Sequence, residues 1–111
     1  MTQPLTGLRI LDLTHMLSGP YGGMILADLG AETIKIEPLQ GEGTRKLLAT
    51  DHNNSLNGMG AYYLTLNRNK KSVLINLKTE QGLGVFKDLV AKADIVISNF
   101  GAGVPERLGI D

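Results

Sequence analysis

The chain has 111 residues, 42% of them hydrophobic and 20% charged, which suits one globular domain with one core. Lys plus Arg and Asp plus Glu balance at 11 each, so no net field draws the chain to nucleic acid or to a membrane surface. The absence of cysteine excludes a disulfide frame, a thiol nucleophile and a Cys-based zinc site, and two distant histidines make no metal site alone. Met1-Thr2-Gln3-Pro4 has no basic n-region or apolar h-region, and no apolar run is long enough to span a bilayer, so a cytoplasmic protein is expected.

In chain order, Leu8-Arg9-Ile10-Leu11 reads as a buried strand, followed by the loop Asp12 to Gly23 and a helix through Met24 to Leu29. Ser18 is placed to cap this helix, Pro20 suits its first turn, and Gly30 supplies a left-handed stop. Thr33 to Glu37 is the next strand, giving a βαβ unit. Pro38 to Gly60 is too long for an ordinary connection and is expected to be a functional loop or lid, with one helical turn at Lys46-Leu47-Leu48. Ala61-Tyr62-Tyr63-Leu64 returns the chain to the body. Arg68, Lys70 and Lys71 read as a solvated basic turn, and Ser72 to Leu77 as a third strand.

Thr79 is an N-cap candidate for a helix running to about Lys92, with Phe86, Leu89, Val90 and Ala93 on one face. Ile95-Val96-Ile97 has the continuous apolar character of a strand buried on both faces. After the loop Asn99 to Gly103, Val104 to Leu108 forms a last helical turn that Gly109 ends. Strands alternating with helices call for an α/β fold, a Rossmann-like parallel sheet with flanking helices. Four strands leave an edge wanting a partner, and the chain reads as the front part of something longer.

Four segments converge at the carboxyl ends of the strands, where open parallel sheets bind ligands: Thr14 to Ser18, Glu37-Pro38, Asn76-Leu77-Lys78 and Asn99-Phe100-Gly101. This rim offers Lys78, with Arg45 and Arg107 nearby, backbone amides and the Phe100 ring, an inventory suited to a phosphate-bearing nucleotide. Bland alternatives remain open at each position: His15 as a strand-end histidine bonded to backbone, His52 as solvated, Phe100 as core. Asp12 is placed to fix the first loop through its backbone amides. No carboxylate has an adjacent base, so no nucleophile–base pair is visible. The Walker-A pattern is absent, and Gly19-x-x-Gly22-Gly23 fails the G-x-G-x-x-G fingerprint, although Glu37 stands where a ribose-binding acid would in a dinucleotide-binding module.

Leu5-x-Gly7-x-Arg9-Ile10-Leu11-Asp12-Leu13-Thr14, Ser18-Gly19-Pro20, Leu26-Ala27-Asp28-Leu29-Gly30-Ala31 and Ile34-Lys35-Ile36-Glu37-Pro38 together resemble the opening of the family III CoA-transferases, the CaiB/BaiF family. Asn67 to Ser72, Leu77-Lys78-x-x-x-Gly82, Ala93 to Phe100 and Arg107-Leu108-Gly109 extend the likeness over nearly the whole chain. The resemblance implies that residues 1–111 are the N-terminal part of a CoA-binding α/β domain in an interlocked homodimer.

It further implies that coenzyme A contacts His15, Met16, Leu17, Ser18, Ile75, Asn76, Leu77, Lys78, Asn99, Phe100, Gly101 and Arg107, with no metal. The implied reaction moves CoA from an acyl-CoA to a free carboxylic acid through an aspartyl anhydride and an enzyme–CoA thioester. The family's aspartate aligns with none here, so this chain alone is expected to be inactive. Pro38 stands where formyl-CoA transferase has a CoA-holding arginine, and Leu17 where it has a glutamine near the acyl group. The 2-methylacyl-CoA racemases share the fold and the opening blocks and remain an alternative.

Overall fold

Aliphatic runs of four to six residues, each closed by a glycine, a turn or a helix cap, build a parallel sheet here. The computed structural model describes residues 2–111. In chain order they form β1 (Arg9–Asp12), α1 (Ser18–Asp28), β2 (Glu32–Glu37), a 3-10 turn (Gly43–Arg45), β3 (Ser55–Leu56), β4 (Met59–Gly60), α2 (Ala61–Leu66), β5 (Lys70–Leu74), α3 (Glu80–Val90), β6 (Ile95–Ile97) and α4 (Val104–Leu108). The main sheet has the order β5-β2-β1-β6, and every neighbour in it is parallel. The expected α/β architecture, a parallel sheet with flanking helices, is therefore the one observed.

The two faces of this sheet differ in chemistry. One carries Leu11, Leu13 and Ile36, which cluster with Ile75 and with Phe86 of α3, and Leu83, Leu89 and Ala93 pack around them. Leu83 thus takes the place expected for Val90, which is 38% exposed. The opposite face is polar yet buried: Asp12, Thr14, Thr33, Lys35 and Glu37 are each at most 2% exposed. Side chains alternate along a strand, so Lys35 and Glu37 must point away from the side that holds Ile36. Register then aligns Asp12 with Lys35 and Lys35 with Ser72.

Several boundaries depart from the sequence reading. The third sheet strand is Lys70–Leu74, not Ser72 to Leu77, and Lys70 is buried instead of lying on a solvated turn. Its Nζ stands 2.7 Å from the Asp12 carboxylate and also donates to the Pro20 carbonyl and to Asn67 Oδ1, both at 2.9 Å. Burial pushes the Lys70 ammonium below its ordinary pKa, and the Asp12 carboxylate acts against that. Gly23 of α1 lies over this pair, where a Cβ would collide with the Asp12 carboxylate. The charged pair fixed the strand start that propensity alone placed two residues later.

β6 is an edge strand, so Ile95 and Val96 are 41% and 45% exposed, and the expected burial on both faces is not seen. Helix α1 starts at Ser18 with Leu17 as its N-cap and no side-chain cap, so Ser18 is not the cap. Gly30 does end it with φ +108°. Thr79 Oγ1 accepts from the Gly82 amide at 3.0 Å, which makes it the N-cap expected for α3.

Residues 38–60 are more ordered than a free lid. The turn expected at Lys46 to Leu48 forms instead at Gly43–Arg45, and Ser55–Leu56 pairs with Met59–Gly60 in a small antiparallel hairpin. α2 follows at once. Among the described residues no helix is long and apolar enough to cross a membrane.

Candidate functional site

The loop after β1 forms one wall of a cleft at the carboxyl ends of the strands. Asp12 turns it inward: Thr14 donates to the Asp12 carboxylate through its hydroxyl and through its amide, the latter at 2.8 Å. That is the loop-fixing role expected of Asp12. Asn99, from the loop after β6, then brackets His15, accepting from its amide at 3.1 Å and donating to its carbonyl at 2.9 Å. The His15 ring stacks on Phe100 with centroids 6.0 Å apart. Gly19 is required behind this loop, because a Cβ there would lie 2.6 Å from Thr14 Cβ and 3.1 Å from Asn99 Nδ2.

The opposite wall is the stretch from Glu37 to Lys46. Glu37 is a buried anion held from four sides. Arg45 donates to it twice, at 2.7 and 2.8 Å, the Glu42 amide donates at 2.7 Å, Tyr63 donates at 3.1 Å, and Ser72 donates as well. Burial would push the Glu37 carboxyl up, but the hydrogen bonds from Arg45, Ser72 and the Glu42 amide outweigh it and bring it to about 2. Burial and the neighbouring Glu37 charge push the Tyr63 phenol well above its ordinary value, so it stays protonated and donates. The Arg45 guanidinium lies 4.0 Å from the Tyr63 ring centroid, a cation–π contact.

Glu37 is consequently not available to a ribose, and Arg45 is not a rim cation for a ligand. Both are internal. This removes the structural basis for a dinucleotide-binding module that uses Glu37.

The floor comes from the β5–α3 turn, where Asn76 Oδ1 accepts from the Lys78 amide at 3.0 Å and the Asn76 carbonyl accepts from Thr79 Oγ1 at 3.0 Å. Gly82 admits this turn, since a Cβ would run into the Asn76 carbonyl. Between walls and floor lies a cleft of about 410 Å³, lined by Thr14, His15, Ile75, Asn76, Leu77, Lys78, Phe100 and Leu108 among others. A second recess of about 470 Å³ shares Leu77, Lys78 and Leu108 with it and adds Arg107. Among the described residues, neither Lys78 nor Arg107 enters an ion pair.

Of the residues singled out from sequence, His15, Ile75, Asn76, Leu77, Lys78 and Phe100 line the cleft, and Arg107 lines the recess beside it. Asn99 sits behind, positioning His15. Met16, Leu17, Ser18 and Gly101 are not in the lining; Met16 and Leu17 are 50% and 56% exposed, and Met16 adopts a left-handed φ of +71°. Sequence reasoning missed Lys35, Glu42 and Thr44. The alternation of Thr33, Lys35 and Glu37 with Ile34 and Ile36 was the available signal, a polar stripe within a buried strand.

A parallel sheet with a ligand-sized cleft at its strand ends, apolar walls and two unpaired cations defines a nucleotide-type binding domain. Residues 5–111 match the profile of CoA-transferase family III. The chain belongs to CoA-transferase family III. It is 45% identical over 109 residues to an acetyl-CoA:oxalate CoA-transferase of Acetobacter aceti, covering 97% of this chain and 27% of that protein. It is 41% identical over 109 residues to the mouse succinyl-CoA:glutarate CoA-transferase, with 97% and 24% covered. The crystal structure of a CaiB/BaiF family protein from Brucella suis superimposes with a TM-score of 0.89 at 37% identity, covering 100% of this chain and 29% of that one. The chain thus spans about a quarter of the length of the relatives it matches.

Proposed function

We propose that this chain supplies the CoA-binding part of a CoA-transferase that moves CoA from an acyl-CoA to a free carboxylic acid. The observation that carries the reading is the paired cleft and recess, with unpaired Lys78 between them and Arg107 beyond. CoA is a long ligand with anionic phosphates in its middle and at one end and an apolar reach toward the thiol. Two cations on one edge with an apolar cleft between Ile75, Phe100 and Leu108 suit that distribution. Lys78 and Arg107 hold phosphate oxygens, the uncapped amide end of α1 adds donors, and the His15–Phe100 pair presents an aromatic face.

The acyl-transfer step in this reading uses an aspartate carboxylate. It attacks the thioester carbonyl and expels the CoA thiolate, leaving a mixed anhydride. The thiolate then attacks the aspartyl carbonyl and releases the donor acid, and the acceptor carboxylate reverses the two steps. That aspartate is not in this chain. Asp12 is committed to Lys70 and Thr14, and Asp28 to Arg68 and Asn69. In this reading the residues here bind and orient CoA, and the chain assembles into an interlocked homodimer with the remainder of the enzyme.

Calorimetric titration with CoA, and with NAD as a parallel control, tests the reading. Saturable CoA binding is expected, and Lys78→Ala or Arg107→Ala should each weaken it about tenfold, the loss of one charge-assisted contact. NAD binding without CoA binding would refute it.

A further inference from the structure

Lys35 has no place in the binding scheme above, yet it is wholly buried at the middle of β2. Its Nζ donates to the Thr14 carbonyl at 3.0 Å and stands 3.4 Å from the Glu42 carboxylate. Thr14 belongs to the β1–α1 wall of the cleft, and Glu42 caps the 3-10 turn of the facing wall. One ammonium therefore touches both walls from beneath.

The remaining polar atoms of both partners are already committed within their own walls. Thr14 donates its amide and hydroxyl to Asp12. Glu42 uses its second carboxylate oxygen on the Thr44 amide and hydroxyl and its own amide on Glu37. The first carboxylate oxygen of Glu42 is buried with no hydrogen-bond partner, and the Lys35 ammonium is the cation that faces it. Each wall is thus internally rigid, and Lys35 is the polar link between them.

We propose that Lys35 is a positioning residue that sets the gap between the two walls of the cleft and thereby the affinity for a CoA thioester, without touching the ligand. The affinity part rests on the CoA reading; the mechanical part does not.

Lys35→Met leaves the Glu42 carboxylate buried and unpaired, which costs folding stability. Lys35→Met combined with Glu42→Gln removes that charge and should recover most of the stability while the Thr14 carbonyl stays unheld. Two measurements on the wild type and both variants separate the roles. In hydrogen exchange without ligand, the double variant should show at least tenfold faster exchange across the amides of 14–18 and 43–45 together, with α3 unchanged. In titration with CoA, affinity should fall about tenfold in both variants and not return with stability.

Affinity that returns together with stability would show Lys35 to be a folding residue only, and would overturn the proposal. Wild-type exchange rates in both walls of the double variant would overturn it too. Walls that loosen as expected in a protein whose wild type binds no CoA would sink the CoA reading and the affinity claim, and leave the wall coupling supported.

Discussion

Replacing Arg45 by Met isolates what the Glu37 cluster contributes. Met keeps much of the aliphatic stem and removes both hydrogen bonds to the carboxylate, the 2.7 Å bond to the Tyr63 hydroxyl and the cation above its ring. The Glu37 side chain is fully buried and that of Arg45 only 25% exposed, so solvent does little to replace the lost partner. The native environment holds the Glu37 carboxyl at about 2 against an ordinary 4.5, a displacement that corresponds to roughly 3 kcal/mol of stability at neutral pH. Loss of one partner of a buried ion pair falls in the same range, about 3–5 kcal/mol.

The pH dependence follows from the sign of that displacement. A carboxyl with a lowered native pKa contributes its full stability above the unfolded-state value and loses it as pH falls from 4.5 toward 2. By pH 3 about 2 kcal/mol of the contribution is gone. Urea unfolding of wild type and Arg45→Met should therefore show a gap of about 3 kcal/mol at pH 7 that narrows to about 1 kcal/mol at pH 3. A gap below 1 kcal/mol at pH 7, or one that stays constant between the two pH values, would refute the argument that Arg45 holds Glu37 ionised.

Other positions give simpler readings. Gly19→Ala pushes a methyl to 2.6 Å from Thr14 Cβ and should lower stability by about 2 kcal/mol despite the better helix propensity of Ala, as read by urea unfolding; a neutral result would mean that the loop yields freely. Asn99→Ala frees the His15 backbone on both sides and should weaken CoA binding several-fold with little change in thermal midpoint, so unchanged calorimetric affinity would count against the role given to Asn99. Thr79→Ala removes the α3 N-cap at a cost of about 1 kcal/mol in chemical denaturation, with CoA affinity retained.

Much of the architecture was legible because it depends on patterns that survive in one dimension. The aliphatic runs at Ile10-Leu11 and Ile34 to Ile36, the cap at Thr79 and the left-handed glycines at 30 and 109 placed the βαβ units near their observed bounds. The convergence of Thr14-His15, Asn76 to Lys78 and Phe100 also followed, because strand polarity alone puts those residues on one rim.

What failed depended on contacts between distant residues. Lys70 looked like solvated turn until Asp12, far away in sequence, gave it a buried partner. Arg45 looked like a ligand cation until Glu37 claimed it. Ile95 to Ile97 had the composition of a central strand, and composition does not tell where in a sheet a strand will lie. The hairpin in the long loop is two residues per strand, too short for any periodicity to register.

The buried polar face also bears on how the chain finds its strand pairing. Sliding β2 by one residue would turn Lys35 and Glu37 toward Phe86 and Leu11, and would set Ile34 and Ile36 against Asp12 and Lys70. A purely aliphatic sheet tolerates such a slip at the cost of some misfitted methyls. Here it strands two charges in hydrocarbon, at several kcal/mol each, and orphans the ions left behind. Asp12, Lys35 and Ser72 thus act as a three-strand lock-and-tooth alignment, and mispaired sheets are discarded by electrostatics before side-chain fit is ever tested.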